Sequence, residues 1–159
     1  MEKLKCWRCG SPLESDNYCS LCGLFTGPKR KIGWVKYTTS VLPISGENIG
    51  NKAFMRVNIT EVVLPDSIVW IGDKAFCDCH KLERIVMDNG VKRIGKEAFY
   101  NCSAIERISI PDSVEFIGDR AFDGCVNLKN VSIPDTDIVI GEDAFPKQCE
   151  IIKREKKTV

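Results

Sequence analysis

An excess of charge is what this chain most plainly lacks. Lys and Arg number 23 against 22 Asp and Glu, a formal net charge of +1. No global field therefore draws it toward nucleic acid or an anionic membrane. No apolar run approaches the ~18–20 residues that span a bilayer. The N-terminal MEKLKCWRCGS carries no apolar segment of a secretory leader, so the chain is expected in the cytoplasm. Histidine occurs once, at His80 beside Cys79, and an imidazole without a paired carboxylate or nucleophile reads as structural or solvated. No Ser/His/Asp set, Gly-rich phosphate loop or catalytic carboxylate pair can be assembled. Neither an enzyme nor a small-molecule substrate is expected.

Cysteine, by contrast, is abundant: nine residues in two groups. Cys6, Cys9, Cys19 and Cys22 form two Cys-x2-Cys-Gly pairs, while Cys77, Cys79, Cys102, Cys125 and Cys149 lie further on. An odd total and the missing leader argue against a disulfide framework. Two Cys three apart can hold one metal across a tight turn. Gly10 and Gly23 let backbone N–H groups approach the thiolate sulfurs. Four thiolates close a tetrahedral site that suits structural Zn²⁺, although iron fits the same ligands. Within the finger Arg8 is the one base, facing Glu14 and Asp16, which makes a poor phosphate-binding surface. Residues 4–25 resemble the short zinc-ribbon modules at the N-termini of many bacterial and archaeal proteins, some of which bind nucleic acid or ribosomes and others proteins.

The rest of the chain is periodic. NIGNKAF, WIGDKAF, RIGKEAF, FIGDRAF and VIGEDAF place their Ala at Ala53, Ala75, Ala98, Ala121 and Ala144, steps of 22, 23, 23 and 23 residues. Such a period predicts a stacked solenoid whose single units cannot bury their own apolar faces. Upstream of each phrase, Ile59-x-x-Val62-x-Leu64, Leu82-x-x-Ile85-x-Met87, Ile105-x-x-Ile108-x-Ile110 and Leu128-x-x-Val131-x-Ile133 end in strand-like alternation. Pro65, Pro111 and Pro134 are expected to stop these strands. A second short extended piece follows, such as Val114–Ile117, and the Ala-Phe stretch is expected to form a short helical or 3₁₀ turn. Cys79, Cys102 and Cys125, each three residues after a Phe, should fill one buried column. Cys77 falls off that column and is expected nearer the surface.

This pattern resembles the BspA-like leucine-rich repeats over residues 40–150. The resemblance implies a right-handed solenoid with a parallel sheet on its concave side, surface or binding roles, and no catalytic residues in the repeat. The expected fold is thus mostly β (α+β at most), a solenoid preceded by a small treble of knuckle turns. The division expected is a ribbon at 1–25, a basic linker at 26–33 containing Lys29–Lys31, and the solenoid with its charged C-terminal cap at 34–159.

Outward columns are candidates for binding. Glu61, Arg84, Arg107 and Asn130 form one, on the expected concave sheet. On the other arm Trp70, Arg93, Phe116 and Val139 break the polar rule for exposed positions, and these residue types anchor interfaces. The alternative is that the rings fold over the core. The leading expectation is a protein-binding adaptor. The rival is a nucleic-acid- or ribosome-associated factor using the ribbon, the linker and the basic tail.

Purified protein is expected to carry about one Zn²⁺ per chain. Elemental analysis checks this, and disulfides at the four N-terminal Cys would refute it. Cys6→Ser should release the metal and leave the repeats folded.

Overall fold

A computed structural model describes residues 18–19, 24–25 and 47–155. In the first two stretches β1 (Tyr18–Cys19) and β2 (Leu24–Phe25) pair antiparallel, Tyr18 opposite Phe25 and Cys19 opposite Leu24. The remaining strands all run parallel to their neighbours, as a coil repeated at one period requires. In chain order they are β3 (Asn48–Ile49), β4 (Glu61–Leu64), β5 (Trp70–Ile71), β6 (Arg84–Met87) and β7 (Arg93–Ile94). Then follow β8 (Arg107–Ser109), β9 (Phe116–Ile117), β10 (Asn130–Pro134), β11 (Val139–Ile140) and β12 (Glu150–Arg154).

Each coil gives one strand to each of two sides. On one side β3, β5, β7, β9 and β11 form an unbroken five-stranded sheet. Ile49, Ile71, Ile94 and Ile117 point into the core from it. On the other side the longer strands do not form the single sheet expected. They fall into two ladders, β4–β6 and β8–β10–β12, with no hydrogen-bonded pairing between β6 and β8. Pro134 ends β10 as its last residue rather than following it.

The Ala-Phe stretch is not helical, and no helix occurs among the described residues. Lys74 (φ 57°) and Asp78 (φ 60°) are left-handed, as are Lys52, Arg56, Glu97, Asn101, Arg120 and Asp143 at equivalent positions. A chain that reverses hand every four residues cannot run an i→i−4 ladder. Alternate N–H groups go to the next coil, Lys74 to Lys96 O (2.9 Å), Phe76 to Ala98 O (2.7 Å) and Asp78 to Tyr100 O (2.9 Å), while those between close i→i−3 turns, Ala75 to Gly72 O (3.2 Å) and Cys77 to Lys74 O (3.2 Å). Left-handed backbone disfavours most side chains, with Asn, Asp and Gly the tolerant types. The column Arg56, Asp78, Asn101, Gly124 uses three of those types. Its side chains also bond along the stack, Asn101 Nδ2 to Asp78 Oδ1 at 2.9 Å and Arg56 Nε to Asp78 Oδ2 at 3.2 Å. The Asn101 hydrogen bond, with help from Arg56, holds the Asp78 carboxyl below its usual range.

Between the two sides the core is a set of columns. Phe54, Phe76, Phe99, Phe122 and Phe145 stack with centroids 5.1–5.4 Å apart and nearly parallel planes. Ala53, Ala75, Ala98, Ala121 and Ala144 are buried beside them, where any longer side chain would hold successive coils apart. Cys79, Cys102 and Cys125 are fully buried, and each thiol donates to a Phe carbonyl one coil back: Phe54 O at 3.1 Å, Phe76 O at 3.1 Å and Phe99 O at 3.2 Å. The expected column of small apolar Cys is therefore present. Cys77, expected nearer the surface, is buried too, because the reversals on either side turn it inward. No charged or polar residue is buried among the described residues.

Coil spacing is also set by glycine. A Cβ on Gly118 would lie 2.6 Å from Lys96 N and 2.7 Å from Gly95 C, both backbone atoms that cannot move aside. Gly118→Ala should cost about 1–3 kcal/mol by overpacking. Phe99→Ala should cost about 3–5 kcal/mol by leaving a gap in the stack. Urea unfolding of the two variants checks both values, and a cost near zero for Phe99→Ala would contradict the register.

Candidate functional site

The outer face of the five-stranded sheet is built by residues that alternate with the buried Ile column. Trp70, Arg93, Phe116 and Val139 stand in register on β5, β7, β9 and β11. Trp70 is 40% exposed, Arg93 and Val139 are exposed, and Phe116 is half-buried. Arg93 lies over the Phe116 ring, its Cζ 4.5 Å from the centroid. Cation–π contact at such an exposed place contributes about 0.5–1 kcal/mol and fixes the guanidinium in one orientation. These rings cover the sheet from outside and are not part of the core.

The opposite side carries the second column. Glu61 and Arg84 are in register on β4 and β6 and form an ion pair of 3.4 Å. Asn130 Nδ2 donates to Glu150 Oε2 at 2.9 Å. Arg107, between those two pairs, is exposed and joins none of the ion pairs among the described residues. Arg84 and Arg107 thus flank the break between β6 and β8.

That break opens a groove of about 690 Å³ at the C-terminal ends of the two strands, lined by Ile85, Val86, Met87, Ser109, Pro111 and Asp112 among others. Sequence explains where it falls. Elsewhere the strand is followed by Pro-Asp-Ser or Pro-Asp-Thr, but after β6 the chain reads Asp88-Asn89-Gly90. A Cβ on Gly90 would lie 1.9 Å from Asp66 O, so this turn rests on the preceding coil more closely than any other residue could allow. The far wall is Arg154 of β12, which donates to Ser109 Oγ (2.7 Å), Asp112 Oδ1 (2.9 Å) and Ile110 O. Arg154 entered the sequence reading only as one of several tail charges. The Asp-Asn-Gly departure at 88–90 was the available signal for the groove.

The buried thiols are not reactive groups. Burial pushes Cys125 from 9.0 up to about 12 and Cys77 up to about 11. Hydrogen bonding to the Cys79 thiol, together with burial, raises Cys102 as well. His80 is exposed, its Nδ1 donating to Asn101 O at 3.1 Å. No group of three or more His, Cys, Asp or Glu among the described residues is placed to hold a metal ion. Cys6, Cys9 and Cys22, with the side chain of Cys19, lie outside the described residues. No helix among the described residues is long and apolar enough to cross a membrane.

The comparisons agree with this architecture. Residues 34–154 match the BspA type leucine rich repeat region in six copies, and the chain belongs to that family. Proteins built on leucine-rich repeats generally act as protein-interaction scaffolds. A leucine-rich repeat protein from Bacteroides capillosus is 34% identical, with a TM-score of 0.53 over 59% of this chain and 75% of its own. A leucine rich cell surface protein from Faecalibacterium prausnitzii is 26% identical, with a TM-score of 0.56 over 67% of this chain and 32% of its own. The pneumococcal vaccine antigen PcpA shares the fold at 21% identity, with a TM-score of 0.64 over 94% of this chain and 36% of its own. The chain thus spans about a third of the length of the Faecalibacterium protein and of PcpA. No curated protein matches the chain.

The thiols give a pH signature. A group that keeps its proton more tightly when folded adds stability below its unfolded value, and loses it as pH rises through the folded one. Wild-type stability should therefore fall between pH 9 and about 12 more steeply than that of Cys125→Ala. Chemical denaturation of both proteins across that window checks it, and equal slopes would contradict it.

Proposed function

We propose that this chain is a non-enzymatic adaptor that recognises protein partners through its solenoid, with a structural Zn²⁺ ribbon at residues 1–25 joined by the linker at 26–33. The observation that carries the recognition reading is the ordered outer column of Trp70, Arg93 and Phe116. A rigid sheet presents there two large rings and a positioned guanidinium, the side chains that contribute most at interface centres. The ribbon reading is supported by the backbone ladder of β1 and β2. It sets Cys19 opposite Leu24, the two positions that flank Cys22 and Gly23 in the sequence. Five unbridged cysteines among the described residues suit a reducing compartment, and we place the protein in the cytoplasm on that ground.

Changing Trp70 and Phe116 together to Ser should lower partner capture at least tenfold, with the melting temperature nearly unchanged, because neither ring fills the core. Affinity capture with quantitative mass spectrometry and a parallel thermal melt check this. Undiminished capture would contradict it. A mobility shift with RNA or DNA that weakens steeply with salt would favour the nucleic-acid alternative.

A further inference from the structure

We propose that the break between β6 and β8 is a docking seam for an extended acidic segment of a partner protein, an inference that rests on the recognition reading above. Three observations converge there. First, Arg84 and Arg107 occupy equivalent positions of adjacent coils on either side of the break, and like charges side by side are unfavourable until something negative lies between them. Glu61 offsets Arg84 from one side only, and Arg107 is left without an acidic partner among the described residues. Second, the hydrogen-bonded ladder is interrupted between β6 and β8. In the intact ladders Glu83 N–H donates to Thr60 O (2.8 Å) and Lys129 N–H to Glu106 O (2.9 Å), whereas no such bond from Glu106 crosses the break. β6 and β8 stay within 8 Å of each other, so a ligand lies over the seam and not between the two strands. Third, the groove beyond the two Arg is lined by Val86, Met87 and Pro111 and closed by the Arg154–Asp112 pair.

The ligand chemistry follows from that order. A carboxylate would sit between the guanidinium groups of Arg84 and Arg107. Three or four residues further along, roughly 10–13 Å of extended chain, one unbranched or branched aliphatic side chain would enter the groove. Arg154 is already engaged by Asp112, Ser109 and Ile110, so it bounds the groove rather than attracting a second acid. The Trp70 column lies on the other side of the coil, in the separate five-stranded sheet. The two surfaces can therefore be tested apart.

The test is selection of a random twelve-residue peptide library on the whole chain, with affinities of the enriched peptides measured by fluorescence polarisation. Enriched sequences should carry Asp or Glu followed, three or four residues later, by Leu, Ile or Met. Arg107→Glu should weaken them at least tenfold, and Arg84→Glu with Arg107→Glu should turn preference to peptides carrying Lys in place of the acid. Both side chains are exposed, and circular dichroism should report an unchanged fold. Peptides without an acidic residue, binding unaffected by Arg107→Glu, or no enrichment at all would each overturn the seam. Enriched peptides lost on changing Trp70 and Phe116 to Ser, but not on Arg107→Glu, would overturn it while leaving the adaptor reading intact. RNA bound through Arg84 and Arg107 in preference to peptide would overturn both.

Discussion

Stacking of identical side chains at one fixed spacing is the constraint on which everything else in this molecule depends. Five phenylalanine rings repeat 5.1–5.4 Å apart, close to the separation of neighbouring strands. Once each coil must deliver a ring at that distance, its Ala, Ile and Cys positions are committed as well. Ala75, Ala98 and Ala121 keep coils close, while glycines such as Gly118 let backbone meet backbone. The thiols of Cys79, Cys102 and Cys125 donate to the carbonyls of Phe54, Phe76 and Phe99, tying each coil to the one before it. The left-handed residues follow from the same demand, since only a chain of alternating hand can aim its N–H groups at the next coil.

Much of this was legible in the residues, because a period of 22–23 repeats every packing decision several times. Burial of Phe99 and Phe122, the Cys column and the outward place of Arg84 all follow from apolar spacing, whereas the rings at Trp70 and Phe116 read equally well as outward or as folded over the core. What was not legible was local backbone hand. The Ala-Phe stretch has short residues and charged neighbours that suit a helical turn equally well, and nothing in Lys74 or Glu97 advertises positive φ. Asn101 and Gly124 do, but they occupy only part of their column. Cys77 was placed too near the surface for the same reason, since counting from the Phe assumes a regular turn. The split sheet was missed because periodicity treats coils as equal. Asp88-Asn89-Gly90 differs from its counterparts by three residues, and the consequence of Gly90 appears only when Asp66 O is set against it.

The solenoid divides its surface by this geometry. One side is a continuous sheet whose exposed rings and Arg93 are held in register. The other is two ladders that share a core but not a hydrogen-bonded edge. Because Phe76 and Phe99 stack at 5.2 Å with planes 1° apart, the core is tight at the very boundary where that edge opens. The coils that carry β6 and β8 are therefore joined at the rings and through β5 and β7, but share no ladder between β6 and β8. A repeat array that is uniform inside can in this way acquire one distinctive place outside, through a change in a single turn.

Residue-resolved hydrogen exchange tests that picture most directly. The amides of Phe76, Phe99 and Phe122, which donate to the next coil, should be among the slowest and should exchange together through one cooperative opening. The amide of Glu106 at the break should exchange far faster than its counterparts at Glu83 and Lys129, which are bonded across intact ladders. Equal protection at Glu83, Glu106 and Lys129, or rapid exchange at the Phe amides, would contradict a solenoid held at its rings and open at one seam.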